Sequence, residues 1–276
     1  MTEALSSNFR EMEQCGMFDA RTADGTRPAT QEPDLLKLLA LGEAKIGLMM
    51  LASSRRFARG STLIAPDSQH EFVYRVRKGW LYRTRVLADG RNQCIMIYLP
   101  GDLVAITTMF RLAHPDTISA ASDVMVEKVR SRELCRLFMQ DREVSIRCIW
   151  EIMEQERRLQ NWIVSLGQGS AEERLSLLLI DLKSRLTAAA EIAPGAAAFE
   201  MPLTQSQLGA HLGLTAVHVN RVLKKLKHLG VLEIRAGTVT IFDPDALLRH
   251  AAPLLNLHHR PAPGYRSDRS AHIQSL

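Results

Sequence analysis

Five polar side chains in a stretch of thirteen residues carry the chemistry of this chain. They are His218, Asn220, Arg221, Lys224 and Lys225, within AVHVNRVLKKLKH. If the stretch is helical, they share one side, and Val219, Val222, Leu223, Leu226 and Leu229 form an apolar stripe on the other. A guanidinium such as that of Arg221 presents two parallel donors, matching the two acceptors on the edge of guanine. The Asn220 amide, one donor beside one acceptor, matches adenine. Val217 and His218 lie at the start of the stretch, also placed for base edges. Lys224, Lys225 and Thr204 suit phosphate oxygens, which position a protein on the duplex without reading it. Gln205, beside Thr204, completes the DNA-facing set.

Such side chains read bases only if a scaffold presents them, and the flanking residues supply one. Thr204 is an N-cap with Gln207 three residues on, a capping box that opens a first helix. Gly209 permits close approach of the second helix, and Gly213 sits in the turn. Thr215 caps the second helix and Gly230 ends it. Residues 231–235 and 238–242 then read as a two-stranded hairpin around Ala236-Gly237. Residues 201–242 carry Arg221, Lys224, Lys225, Lys227 and Arg235 against one acid, Glu233. A basic helix face alone is usually just a solvated surface. Caps, turn glycine, basic face and hairpin together predict a winged helix-turn-helix that binds double-stranded DNA.

The remaining chain must carry and pair this reader. Its 276 residues suffice for two domains, and a net charge of +5 suits a polyanionic partner. No apolar run approaches the ~18 residues of a membrane span. The first residues lack the basic start and apolar block of a secretory signal. The expectation is a cytoplasmic protein with no membrane association. Residues 1–32 read as a flexible arm, and a helix is expected after Pro33. Short β-rich runs between 56 and 130 follow, with a hairpin turn at Asp89-Gly90 and a stop at Pro100-Gly101-Asp102. They suggest a small antiparallel barrel or roll within residues 33–132. Residues 133–168 read as one long helix. On it Ile149, Ile152, Leu159, Ile163 and Leu166 fall at three- and four-residue steps around Glu156. That stripe is either a core face packed on the roll or a parallel dimer seam, and the two are compatible, because Trp150, Met153 and Trp162 lie off it and can cover the roll. Residues 169–250 form the DNA-binding domain, interrupted by the linker AAAEIAPGAAA, and 251–276 a flexible tail. The fold class is therefore α+β.

Catalytic and metal chemistry find little support. The roll region holds only His70 and His114, without an H-x-H pair, and no P-loop or Ser-His-Asp spacing occurs. An enzyme is not expected. The four cysteines, Cys15, Cys94, Cys135 and Cys148, fit no zinc or common iron–sulfur spacing. Cys148 lies beside Arg147 and near Arg142, which favours a thiolate and makes it the candidate redox residue; the other reading is an inert buried thiol.

With these residues in view, the chain resembles the Crp/Fnr family of bacterial transcription regulators. The resemblance rests on RKGWLYRTRVLADGRNQCIMIYLPGDLV (77–104), SAEERLSLLLIDL (170–182) and LTQSQLGAHLGLTAVHVNRVLKKLKHLGVL (203–232). It implies a cyclic-nucleotide-binding-like β-roll, a long dimerisation helix and a winged helix-turn-helix. It also implies a homodimer on a palindromic promoter site and contact with RNA polymerase, usually as an activator. The chain departs from the family's ligand patterns. Ala105-Ile106 replaces the Gly-Glu pair of nucleotide-binding members. His114-Pro115-Asp116-Thr117 replaces their Arg-Ser region, placing an acid where phosphate would sit. Only Cys15 lies where iron–sulfur members cluster their ligands. Neither cAMP nor an iron–sulfur cluster is therefore expected, and no cofactor is assigned. A small-ligand- or redox-responsive regulator of the same fold is the alternative. Val217 stands where many members carry Glu and suits a thymine methyl, so the half-site can differ from the commonest one.

Overall fold

The computed structural model describes residues 35–51, 53–110 and 115–258. The expected arm, with Cys15, lies outside them, as does His114. A first helix, α1 (Leu35–Met50), precedes eight strands: β1 (Ser54–Phe57), β2 (Thr62–Ile64), β3 (Phe72–Lys78), β4 (Leu81–Val86), β5 (Asn92–Tyr98), β6 (Leu103–Val104), β7 (Thr117–Ala120) and β8 (Val124–Arg130). Two four-stranded antiparallel sheets result, ordered β1-β8-β3-β6 and β2-β7-β4-β5. Alternation along the strands gives each sheet two apolar faces. Tyr74, Val76, Val124 and Val126 of one sheet meet Leu81, Met96, Tyr98 and Ile118 of the other, closing the expected roll. Gly90, at φ 84°, makes the β4–β5 turn where a Cβ would be strained.

The outer faces of the two sheets have different partners. The first packs Val73, Leu103 and Val129 against Ile46 and Met50 of α1 and Val144 and Cys148 beyond the roll. The second offers Trp80, Cys94, Ile97 and Leu99 to a core shared with the C-terminal domain.

The single long helix expected from 133 is two: α2 (Ser131–Gln140) and α3 (Arg142–Gln168). Asp141 adopts an extended conformation between them and caps α3 by accepting from the Val144 N–H at 3.1 Å. α1 lies on α3 through charges that the apolar pattern did not reveal. Glu43 bridges Arg75 of β3 and Arg147 of α3, while Arg75 also pairs with Glu127 and Arg147 with Glu151, all buried. A Cβ at Gly42 would stand 2.2 Å from the Glu143 carbonyl oxygen, so only glycine permits this crossing.

The C-terminal domain comprises α4 (Ala171–Ala188), β9 (Ala198–Glu200), α5 (Gln205–Leu212), α6 (Ala216–His228), β10 (Leu232–Arg235), β11 (Thr238–Ile241) and α7 (Pro244–His258). Two sequence expectations need correction. The wing has three strands, because the end of the alanine-rich linker forms β9 and pairs with β11. The proposed tail begins too early. Residues 251–258 continue α7, whose Ala251 and Leu254 pack on Leu177 of α4.

Candidate nucleic-acid interface

The helix-turn-helix is built from its caps inward. The Thr204 hydroxyl accepts from the Gln207 N–H at 3.2 Å, and the Gln207 side chain accepts from the Thr204 N–H at 2.8 Å. This satisfies donors that the first turn of α5 leaves open. Gly213 ends α5 at φ 65°. Added carbon at Gly209 would meet the Leu214 carbonyl oxygen at 2.5 Å, which is why the turn hugs α5 so closely. Thr215 then caps α6, accepting from the His218 N–H at 3.2 Å.

Val219, Val222 and Leu226 anchor α6 in the core, with Leu223 half-buried beside them. Leu229 does not join that stripe. It lies one residue past the helix, 53% exposed, where the chain turns toward Gly230 at φ 70°. On the opposite side Thr215, Val217, His218, Arg221, Lys224 and Lys225 are exposed and Asn220 is half-buried. Val217 is 71% exposed, an unusual place for a branched apolar side chain at a helix start. Thr204 and Gln205 are exposed at the start of α5. The fold thus gathers every residue of the predicted DNA-facing set onto one module. Lys225 also reaches Glu172 of α4 at 2.5 Å, and Lys227 reaches Glu233 of the wing at 2.5 Å. Those two cations are partly neutralised within the chain.

The predicted seam residues divide along α3. Ile149 and Ile163 are exposed, whereas Ile152, Leu159 and Leu166 are half-buried against their own chain. Met153 and Val164 lie exposed with Ile149 and Ile163, so the open apolar stripe is offset from the expected one. Met153 therefore does not cover the roll. Trp162 turns to the DNA-binding domain, stacking on His211 with ring centroids 4.1 Å apart.

Two further buried polar groups gave no signal in the sequence. His211 is buried in α5. Its Nδ1–H donates to the Cys94 carbonyl, and its own carbonyl accepts from Trp162 Nε1 and Gln93 Nε2. Burial pushes its imidazole down to about 4, so it is neutral at pH 7. Asp102, read from sequence only as a turn residue, accepts from the Leu99 N–H, from Arg158 of α3 and from Arg185 of α4. One carboxylate thus clasps roll, long helix and DNA-binding domain.

Cys148 contradicts the thiolate expectation. It is buried beneath α1, and burial pushes its thiol up to about 11, because Glu43 and Glu151 already answer the Arg147 charge. Burial likewise pushes Cys94 up to about 12. Among the described residues no three His, Cys, Asp or Glu side chains are grouped to hold a metal ion, and no helix is long and apolar enough to cross a membrane.

Comparison with known proteins agrees with this architecture. Residues 54–141 match the cyclic nucleotide-binding domain, and residues 173–250 match the Crp-like helix-turn-helix domain. Over 197 residues the chain is 30% identical to the transcriptional activator protein FnrA of Stutzerimonas stutzeri, covering 70% of this chain and 78% of that relative. The chain belongs to the Crp/Fnr family. It is a transcription regulator with a helix-turn-helix DNA-binding domain, and its relatives are regulators rather than enzymes. The nitrogen fixation regulation protein FixK of Bradyrhizobium diazoefficiens is 28% identical over 192 residues, covering 68% of this chain and 77% of that protein. The solved structure of FixK2 from Bradyrhizobium japonicum superposes with a TM-score of 0.65 at 24% identity, covering 71% of this chain and 96% of FixK2.

The residues that depart from the family's ligand patterns have partners within this chain. Ala105 keeps a left-handed turn at φ 60°, and Ile106 is buried in the core beneath α1 rather than facing the roll interior. Asp116 is fully buried, with Arg83 at 2.5 Å and Arg85 at 2.6 Å. This acid is thus already neutralised by two guanidiniums.

Proposed function

We propose that this Crp/Fnr regulator reads a palindromic promoter site as a homodimer, activates transcription through RNA polymerase, and needs neither a cyclic nucleotide nor an iron–sulfur cluster. The observation that carries the reading is α6: three core residues hold it while Val217, His218 and Arg221 face outward beside the half-buried Asn220. A helix fixed on one side and polar on the other is what enters a major groove. Pairing of two copies is supported by α3, 27 residues and so about 40 Å long, with Ile149, Met153, Ile163 and Val164 exposed along it. Two-fold pairing of the reader in turn favours a site with two half-sites one helical turn apart. Nucleotide independence is supported by the apolar filling of the roll. Activation is supported by the similarity to FnrA, itself an activator.

The test is selection from random duplex DNA by the purified chain, with sedimentation of the complex. The expected result is a two-fold symmetric site bound by two copies without added nucleotide. Arg221→Ala is expected to weaken that site by about 1–3 kcal/mol, roughly 5- to 150-fold, and to relax one base position in each half-site. Only sequence-blind, salt-sensitive binding, or unchanged selectivity in Arg221→Ala, would refute the reading.

A further inference from the structure

Roll, long helix and DNA-binding domain do not merely touch; a small, half-open cleft lies between them. It has a volume of about 80 Å³ and is walled by Ile95–Ile97 of β5, by Arg158, Asn161 and Trp162 of α3, by Leu177, Leu178, Asp181 and Arg185 of α4, and by His211 of α5. One wall is the Trp162–His211 stack. Its polar groups are not balanced. Arg158 gives one N–H to Asp102 at 3.2 Å, but its Nε is buried with no hydrogen-bond partner among the described residues. Asp102 serves Arg158 and Arg185 with a single negative charge. The second acid, Asp181, stands at the rim, 41% exposed and 3.4 Å from Arg185. Glu151, Asp181 and Glu154 also act on Arg158, so what stays unmet here is a hydrogen-bond donor, the Arg158 Nε–H, rather than a charge. A buried, charged donor without an acceptor is costly, and an acceptor that enters recovers that cost.

We propose that this junction is a binding site for a small monocarboxylate, which sets operator affinity by occupying it. The inference rests on the regulator reading above and names its effector class. The carboxylate accepts from Arg158 Nε and the Asn161 amide, while its short apolar tail lies against Trp162 and Leu178. The volume admits two- or three-carbon acids. Occupancy bears on DNA because Arg185 and His211 belong to α4 and α5, and α5 leads through Gly213 into α6. A ligand that prefers one arrangement of these elements shifts the population of the reader.

The probe is sodium acetate against sodium chloride at equal ionic strength, with the full-length protein. Two quantities are measured: the Trp162 indole N–H resonance, assigned through Trp162→Phe, and the dissociation constant for the selected operator. The expected result is a saturable indole shift in the millimolar range, absent with chloride, and a change of at least threefold in operator affinity over the same range. Asn161→Leu fills the cleft and is expected to abolish both responses. Arg158→Met is expected to do the same, and should it fold poorly, Asn161→Leu alone decides. A cleft holding water only, seen as no saturable shift up to 50 mM acetate, overturns the proposal. So does saturable binding without a change in operator affinity, or a response that survives in Asn161→Leu. Operator binding in the chloride arm is read separately, so loss of DNA recognition itself would count against the regulator reading and not against this site.

Discussion

Asp102→Asn is the sharpest perturbation of this molecule, because one oxygen-for-amide exchange reaches three units at once. The carboxylate is buried and receives the Leu99 N–H at 2.8 Å, Arg185 at 2.5 Å and Arg158 at 3.2 Å. Asparagine keeps one acceptor oxygen and turns its NH2 toward one of two guanidiniums that are themselves mostly out of water. Arg185 retains the Ile97 carbonyl and Asp181, whereas Arg158 loses its one side-chain acceptor among the described residues. Removing one partner of a buried pair costs about 3–5 kcal/mol, chiefly as the charge left behind. At about 2–4 °C per kcal/mol for domains of this size, the melting temperature should fall by roughly 6–20 °C. Urea titration and calorimetry of the wild type and Asp102→Asn at pH 7 measure this directly. The pH dependence gives a second check. Burial pushes this carboxyl up, and Arg185 and Arg158 more than reverse it, so it titrates below the usual carboxylate range. A depressed folded pKa means that the stabilisation is complete above the unfolded value near 4 and fades as pH falls through the lower folded one. The wild type should therefore lose its advantage over the variant only in strong acid. A difference below about 1 kcal/mol at pH 7 would show that solvent reaches these guanidiniums, and the clasp argument would fail.

Three further outcomes follow from the geometry. His211, pushed down to about 4 by burial, is neutral when folded and near 6.5 when unfolded, so folding stability should drop by about 3 kcal/mol as pH falls from 6.5 through 4. His211→Gln should flatten that slope in urea titrations, and an unchanged slope would assign it to other groups. Ala105 holds φ 60°, a conformation that costs a side-chain-bearing residue about 1 kcal/mol, so Ala105→Gly should raise the denaturation midpoint slightly, less the greater chain entropy of glycine; a clear loss of stability would contradict that account. Cys148 should resist thiol reagents in the folded protein at pH 7, since its thiol is buried and pushed up to about 11. Rapid alkylation there, or an oxidant response of DNA binding that Cys148→Ser removes, would revive the redox reading.

Much of this protein was legible in its residues, for identifiable reasons. Local signals are written locally. The Thr204–Gln207 and Thr215 caps, the turn at Gly213, the β4–β5 hairpin and the apolar stripe of α6 as far as Leu226 each depend on residues a few positions apart, and all were formed as expected. Not every failure was local in origin. Asp141 breaks the helix because its cap outweighs continuity, a signal that the seam pattern around residues 149–166 masked. Phe199 gave β9 an apolar residue among alanines, but a strand that short is defined by its partner β11. Leu229 matched the helical period and still faces outward, because the helix ends one residue earlier.

By itself, then, the sequence determined most of the elements and the helix-turn-helix with its exposed polar face, because caps, periodicity and turn residues act over three or four positions. Only the tertiary structure decided which charges meet. Glu43 finds Arg147 across 104 residues, Asp102 finds Arg185 across 83, and His211 finds Cys94 across 117. Such pairs have no period and no fixed spacing. They exist because packing the apolar faces brings the polar groups together out of water, where each must find a partner.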